Sequence, residues 1–230
     1  MSDLSQLQKK LGVDFKNEDL LKESLTHRSY LNENPSWNLP HNERLEFLGD
    51  AVLELITTDY LYRNYPSYDE GRLTSIRAAL VNYQSLSKLA KVLDVEDHLL
   101  MSKGESKDTG KAREVILANA FESILGAIYL DGGYKIAEKF VSQNVLSEVE
   151  SIVKMNLDKD AKSLFQEMSQ EKFKITPLYK VIDEYGPDHH KTFVVGVYLG
   201  DNMIAQGSGL SKQEAELDAA RKGLHVFKTS

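Results

Sequence analysis

The chain has 230 residues, no cysteine and a formal net charge of −7. With 41% hydrophobic and 27% charged residues, its composition is typical of a folded, soluble protein. The lack of cysteine excludes disulfides, thiolate zinc sites and cysteine nucleophiles, and it fits a reducing compartment. Residues 1–10 contain no secretory signal, and the longest apolar run, residues 124–130, is too short to span a bilayer. We therefore expect a cytoplasmic protein with no membrane partner.

The negative charge is unevenly distributed along the chain. Residues 1–151 contain 17 basic and 24 acidic side chains, whereas residues 152–230 contain 11 of each. A net negative charge by itself disfavours nucleic acid as a partner. The local placement of the charges must therefore decide that question.

Residues 1–151 predict a succession of amphipathic helices. The first clear one covers residues 17–25, with Asn17 as its N-cap, and a short segment containing His27 follows it. A histidine beside a helix end is usually a hydrogen-bonding structural residue, although a catalytic role stays open. Further helical periodicity covers residues 43–65, 73–93, 114–129 and 135–153.

The helix predicted from residue 43 carries a line of acids. Glu43, Glu46, Asp50 and Glu54 are spaced by three, four and four residues, so they share one face. Four acids in line without an interleaved base repel one another, which favours a bound cation; a solvated acidic face is the alternative. The opposite face is apolar and can dock the helix into a core; it carries Leu45, Leu48, Val52, Leu53 and Ile56.

The helix predicted over residues 114–129 is nearly all apolar. Asn119 and Glu122 interrupt its middle at a spacing of three, so they face the same way. Buried polar side chains need partners. They could hydrogen-bond within the core, or they could join Glu46 and Asp50 around one hard cation. Ligation by oxygen alone suits Mg²⁺ or Mn²⁺ and argues against zinc or copper. Iron is disfavoured because the Glu-x-x-His pairs of di-iron bundles are missing.

A polar, glycine-containing loop is predicted over residues 102–113. Such a loop is usually solvated surface. Beside an acidic metal centre it could instead hold a phosphate backbone. Its basic residues are Lys103, Lys107, Lys111 and Arg113.

The pattern changes after residue 153. We predict a first, all-helical domain over residues 1–153, a linker over 154–159 and a small second domain over 160–230, which makes the fold class α+β. The second domain has the element order α-β-β-β-α. Its predicted helices are 162–172 and 211–228, and its predicted strands are 178–183, 192–199 and 203–208.

Short motifs occur in order along both domains. They are 26–29 (THRS), 42–50 (NERLEFLGD), 69–71 (DEG), 103–105 (KGE), 116–122 (ILANAFE), 186–189 (GPDH) and 211–216 (SKQEAE). With these motifs both domains resemble bacterial ribonuclease III: the helical domain resembles the family's endonuclease domain, and the α-β-β-β-α domain resembles a double-stranded-RNA-binding domain.

The resemblance implies a homodimeric endoribonuclease that needs Mg²⁺, with Mn²⁺ as a substitute. It would cut double-stranded RNA to leave 5′-phosphates and 3′-hydroxyls on staggered ends, as in the processing of rRNA, mRNA and small-RNA precursors. A catalytically weak or inactive double-stranded-RNA-binding protein is the alternative. The family pattern assigns the metal shell to Glu46, Asp50, Asn119 and Glu122, with Asp50 and Glu122 as catalytic residues and Glu43 and Glu70 as accessory acids.

The same resemblance implies an RNA-binding surface on the second domain. Two departures from the family pattern matter. Asn119 stands where many members have Asp, which removes one charge from the metal shell, and Gln213 replaces a usual Lys, which predicts weaker RNA affinity. The residues expected to contact the minor groove or phosphates of A-form RNA are Gln166, Glu167, His189, Lys191, Lys212 and Gln213.

Overall fold

The structure, a computed structural model, describes residues 4–107, 109–155, 161–187 and 191–229. The chain divides into two compact units, Met1–Asp158 and Lys159–Ser230. Lys154 and Met155, which we placed in the linker, belong to the last helix of the first unit. The rest of the expected linker, residues 156–159, lies outside the described residues.

The first unit is helical along its described length, as the sequence predicted. Its two long helices, α4 and α7, are accompanied by seven shorter ones. The helices are α1 (Leu4–Leu11), α2 (Glu18–Ser24), α3 (Arg28–Glu33), α4 (Glu43–Asn64), α5 (Glu70–Val81), α6 (Tyr83–Val92), α7 (Gly110–Gly132), α8 (Tyr134–Asn144) and α9 (Val149–Met155).

Two expected helices are each broken into two. The apolar periodicity of residues 73–93 continues across a break at Asn82. The extended backbone of Asn82 ends α5, and its side chain caps α6 by accepting the Ser85 N–H at 2.9 Å. The segment 135–153 likewise becomes α8, a short 3₁₀ turn and α9. Apolar periodicity continues through such breaks because both pieces turn an apolar face to the same core.

The start of one helix differs from expectation, and the start of another is held by backbone hydrogen bonds. Helix α7 begins at Gly110, so Lys111 and Arg113 lie in the helix and not in a loop. Asn42 precedes α4 but has a helical backbone, and its side chain makes no capping hydrogen bond. Its backbone is engaged instead: the Asn42 N–H donates to the Thr26 carbonyl at 2.9 Å, and its own carbonyl accepts from Ser123 Oγ at 3.3 Å.

Helices α4 and α7 form the centre of the first unit. The apolar face predicted for α4 is confirmed, because Leu45, Val52, Leu53 and Ile56 are all buried. Helix α7 is buried on most of its circumference. Its core residues include Leu117, Phe121, Ile124, Leu125 and Ile128.

The two central helices touch through their backbones. A Cβ atom on Gly49 of α4 would overlap the carbonyl oxygen of Glu122, and a Cβ on Gly126 of α7 would overlap the carbonyl oxygen of Leu45. Glycine is therefore required at both positions, although it lowers helix propensity. The close contact places the residues beside Gly49 directly against those beside Glu122.

Among the described helices, α7 alone is long and apolar enough to cross a membrane, with a mean hydropathy of 1.3 over its best 18-residue window. Within the fold, 56% of that window is buried. Its apolar surface therefore packs largely against α4 and the surrounding helices, as in the central helix of a folded core.

The second unit has the predicted α-β-β-β-α order: α10 (Ala161–Phe173), β1 (Leu178–Tyr185), β2 (Thr192–Leu199), β3 (Asn202–Gly209) and α11 (Lys212–Thr229). The strands form an antiparallel sheet in the order β1-β2-β3. On β2, alternate residues face the core, since Val195, Val197 and Leu199 are buried. Helix α11 lies close to the sheet, because Ala215 and Ala219 are fully buried where α11 crosses Gly207.

The contact between α4 and α7 predicts opposite effects for two glycine-to-alanine changes. Gly49→Ala should lower the free energy of unfolding by about 1–3 kcal/mol or more, because the added methyl overlaps backbone that cannot move aside. Gly71→Ala in α5 is the matched control, since its Cβ would meet only the Asp69 carboxylate at 3.6 Å. That variant should be neutral or gain up to about 1 kcal/mol from helix propensity. Urea denaturation of both variants measures the difference; equal stabilities would contradict the backbone contact.

Candidate active site

The four acids in line on α4 have different surroundings. Glu54 pairs with Arg77 of α5, with 3.0 Å between Oε2 and Nε. Glu43 lies 3.5 Å from Arg28 of α3. Both bases come from other helices, so the sequence spacing on α4 could not reveal them. Glu43 and Glu54 therefore each have a basic partner from another helix.

The two inner acids meet Glu122 of α7. We call Glu46, Asp50 and Glu122 the carboxylate cluster. Among the described residues, none of the three forms an ion pair with a basic side chain. Glu46 and Glu122 are half-buried and Asp50 is exposed. The excess negative charge on α4 is thus concentrated at the place where α4 and α7 touch.

The carboxylates of the cluster perturb one another. Burial, followed by the charges of Asp50 and Glu46, raises the pKa of Glu122 to about 8. Burial, followed by the charges of Glu43 and Asp50, raises the pKa of Glu46. Without a cation, Glu122 therefore keeps a proton at neutral pH.

The donor set of this cluster suits a hard divalent cation. All its donors are carboxylate oxygens, and they carry more negative charge than the surrounding protein compensates. Asn119 precedes Glu122 by one turn on α7 and is half-buried, so its amide oxygen could add a neutral donor. Over the described part of the chain, no three His, Asp or Glu side chains are already gathered closely enough to hold a metal ion. The side chains of the carboxylate cluster would therefore have to move closer together to complete such a shell.

His27 has a structural role. It is the N-cap of α3, where Nδ1 accepts the Ser29 N–H at 3.3 Å and lies 2.8 Å from Ser29 Oγ. Burial lowers its pKa. This geometry supports the structural interpretation of His27 that the sequence favoured.

Glu70 lies apart from the carboxylate cluster. It is the exposed first residue of α5 and borders a groove where the end of α4 meets α5, together with Tyr62, Leu73 and Arg77. It is not among the charges that shift the pKa of Glu46 or Glu122. An accessory role for Glu70 stays a prediction.

The basic segment 102–113 is partly built into the fold. Arg113 pairs with Glu96 at 2.8 Å, and the Lys103 N–H donates to the Glu33 carboxylate at 3.3 Å. Ser29 Oγ accepts the Ser102 N–H at 3.0 Å. Arg113 is thus a structural cation, whereas Lys103 and Lys107 remain exposed.

In the second unit, two of the expected RNA-binding lysines share one aromatic ring. Lys191 Nζ and Lys212 Nζ lie 5.9 Å and 5.8 Å from the centre of the Phe193 ring. We call Lys191 and Lys212 the lysine pair. Lys191 also contacts Glu184 at 2.9 Å. The other expected residues are Gln166 and Glu167, exposed on α10, Gln213, exposed on α11, and His189, which lies outside the described residues.

The sequence interpretation missed the residues that position the site. Gly49 and Gly126 let α4 and α7 touch, and Ser123 ties α7 to the start of α4. The available signal was the lone glycine inside each helical pattern, which often marks close packing. Phe47 was also missed: it is 81% exposed although it lies among the acids and apolar residues of α4.

Comparisons with known proteins agree with both units. A family model described as ribonuclease-III-like matches residues 17–149, and a double-stranded RNA binding motif matches residues 161–226. A ribonuclease 3 of Dehalococcoides mccartyi is 42% identical over 230 residues, covering 100% of this chain and 97% of the relative. A ribonuclease 3 of Borreliella burgdorferi is 44% identical over 226 residues, covering 98% and 92%.

Solved structures give the same assignment for the first unit. The nuclease domain of ribonuclease III from Campylobacter jejuni is 39% identical, with a TM-score of 0.57. The match covers 63% of this chain and 97% of that domain. The family resemblance and the fold class predicted from the sequence are thereby confirmed, and this chain belongs to the ribonuclease III family.

Proposed function

We propose that this ribonuclease III is a homodimer that uses Mg²⁺, held by Glu46, Asp50, Asn119 and Glu122, to cut double-stranded RNA in the cytoplasm. The products would carry 5′-phosphates and 3′-hydroxyls on staggered ends. The activity class follows from the family: a ribonuclease-III-like domain joined to a double-stranded RNA binding motif is an endoribonuclease for double-stranded RNA. The family is generally metal-dependent. The identity of the ion, its ligands and the dimer are our proposals.

The observation that supports the metal assignment is the electrostatic repulsion within the carboxylate cluster. Glu122 is half-buried, its pKa is about 8, and the causes are burial and two neighbouring acids. A protein gains nothing in stability from placing three carboxylates together without a base. A divalent cation reverses the sign of that interaction, because it lets all three acids ionise in favourable contact.

The three residues of the carboxylate cluster would have different roles. Asp50 is exposed and can face the phosphate, whereas the half-buried Glu46 and Glu122 are held in place by α4 and α7. Glu122 would release its proton when the cation binds, since only its ionised form is a good ligand. When bound, Mg²⁺ supplies positive charge that stabilises the phosphate in the transition state and makes water a better nucleophile. No histidine base is required, which agrees with the capping role of His27.

Asn119 is the proposed neutral ligand. Its place one turn from Glu122 puts both side chains on the same side of α7. An amide oxygen can bind Mg²⁺ but carries no net charge. The shell would therefore contain three carboxylates and one amide, and it should hold the cation less tightly than four carboxylates would.

An exposed apolar stripe on α4 supports the homodimer. Phe47, Leu55 and Tyr62 are 81%, 58% and 74% exposed, and their spacings of eight and seven residues put them on one side of the helix. Such a stripe is unusual on the surface of a monomer. The groove lined by Tyr62 and Leu73 lies near the end of the same helix. A protruding Phe47 and a recess on one face are what a twofold contact between identical chains needs.

A dimer also suits the substrate. Double-stranded RNA has two antiparallel backbones related by approximate twofold symmetry. One carboxylate cluster from each subunit would then face one strand. The Campylobacter jejuni nuclease domain was described for its region involved in dimer formation, which supports the same assembly for this chain.

Glu122→Gln tests the metal assignment. This change keeps the shape of the side chain but removes a ligand charge, so it should reduce cleavage of a long RNA duplex in Mg²⁺ to about 1% or less of the parental rate. RNA binding and folding should be retained. Glu54→Gln is the matched control, because Glu54 lies one turn beyond Asp50 but pairs with Arg77. A Glu122→Gln variant that cuts at close to the parental rate would refute the assignment.

The raised pKa of Glu122 predicts a pH-dependent stability in chelator. The folded protein keeps the Glu122 proton up to about pH 8, whereas the unfolded chain releases it near 4.5. Folding therefore binds a proton within this window, and the free energy of unfolding should fall as pH rises through it. The fall is at most about 5 kcal/mol, at about 1.4 kcal/mol per pKa unit, and it is smaller than that because Glu122 is only half-buried. Thermal melts of the parental protein in chelator should show this fall of stability with rising pH. The fall should be smaller in Glu122→Gln, and it should also be smaller for the parental protein in excess Mg²⁺. Identical slopes for both proteins would contradict the mutual repulsion.

Phe47→Asp tests the dimer. A charge in the middle of the apolar stripe should convert the dimer into a folded monomer, as measured by sedimentation or light scattering. Val92→Asp is the control, since Val92 is 71% exposed at the end of α6 and lies outside the stripe. That variant should stay dimeric. Dissociation of both variants, or of neither, would show that the stripe is not the interface.

A further inference from the structure

The lysine pair in the second unit interacts with an acid of the same unit. Lys191, just before β2, has its ammonium group 2.9 Å from Glu184 Oε1 near the end of β1. Lys212, at the start of α11, also acts on Glu184: both lysines lower the pKa of this carboxyl, Lys191 more strongly. One carboxylate therefore faces both cations.

The pairing of β1 with β2 fixes this arrangement. Glu184 lies opposite Phe193 in the antiparallel register, and the Phe193 ring is the one that both lysines approach. Cross-strand neighbours stay within a few ångströms of each other as long as the sheet is intact. The pairing of β1 with β2 thus keeps the backbone of Glu184 beside Phe193, the residue that the lysine pair approaches.

The start of α11 offers little compensation to an anion. Ser211 Oγ accepts the Glu214 N–H at 3.1 Å, and the Glu214 carboxylate accepts the Leu210 N–H at 2.9 Å. This reciprocal capping places a second carboxylate at the positive end of the helix dipole. With Glu214 there, phosphate binding depends mainly on the lysine pair.

We propose that Glu184 is an intramolecular competitor of RNA phosphate for the lysine pair and so limits the affinity of this chain for double-stranded RNA. The inference rests on the proposed function, in which Lys191 and Lys212 contact RNA. Binding a phosphate at Lys191 requires the lysine to leave Glu184 or to share its charge with it. Removing the Glu184 charge should therefore tighten binding, although it also removes an ion pair from the fold.

Glu184→Gln is the direct test. The full-length protein, in chelator so that no RNA is cut, is titrated with a perfect RNA duplex longer than the roughly 16 base pairs that one such domain spans. Glu184→Gln should bind about two- to fivefold more tightly at moderate salt, the range that an exposed charge pair supplies. The gain should shrink as salt rises, because each added phosphate contact makes the salt dependence steeper.

Asp201→Asn provides the matched control. It changes the net charge of the second unit by the same amount, but Asp201 lies in the turn after β2, at the opposite end of the strand from Lys191. Its affinity should equal that of the parental protein. Thermal melts of all three proteins show whether a loss of affinity is a loss of folding.

The possible results separate the two proposals. Tighter binding by Glu184→Gln alone supports competition. Unchanged or weaker binding by a folded Glu184→Gln protein, while the parental chain binds the duplex, overturns the competition and leaves the proposed function standing. An equal gain in Asp201→Asn also overturns it, because the effect is then one of net charge. A parental chain that binds no duplex overturns both.

Discussion

The contact between the backbones of α4 and α7 brings the three acids of the carboxylate cluster together. Gly49 and Gly126 remove the side chains that normally keep two helices apart. Glu46 and Asp50, on either side of Gly49, are thereby brought close to Glu122. A wider separation would leave three ordinary surface acids. The short separation produces the mutual repulsion that makes a cation a favourable addition.

This arrangement opposes stability, and the core has to compensate for it. Three carboxylates close together raise the free energy of the folded chain when no cation is bound. The fully buried side chains of α7, including Phe121 and Ile124, contribute in the opposite direction. The neighbouring acids do not add to the repulsion in full, because Glu43 and Glu54 have basic partners from α3 and α5. The fold thus confines uncompensated charge to one place.

The second unit also depends on the placement of charges, which here lie on its surface. Equal numbers of acids and bases in residues 152–230 conceal a local pattern in which Lys191 and Lys212 share the Phe193 ring and Glu184 faces both. The two units differ in their electrostatics: the first gathers three acids that have no basic partner among the described residues, and the second holds two lysines beside one aromatic ring. Net charge describes neither of them, which explains why an acidic chain can be a nucleic-acid enzyme.

The sequence by itself determined the two-part organisation and the element types, and it singled out the acids that the fold brings together as the carboxylate cluster. Helical and strand periodicities are local properties, so the α-β-β-β-α order and the buried face of α4 could be read directly from residue spacing. The motif over residues 42–50 and Glu122 likewise identified the family. Helix breaks were predicted less well, because a single capping residue such as Asn82 ends a helix without disturbing the apolar pattern.

Only the tertiary structure decided which charges are compensated and which are not. Arg77 reaches Glu54 and Glu184 reaches Lys191 across elements that are separate in the sequence. Gly49 and Gly126 are 77 residues apart, yet together they set the distance between the helices. Coulomb and packing energies depend on distances in space. Sequence spacing gives those distances within one helix or strand but not between two of them.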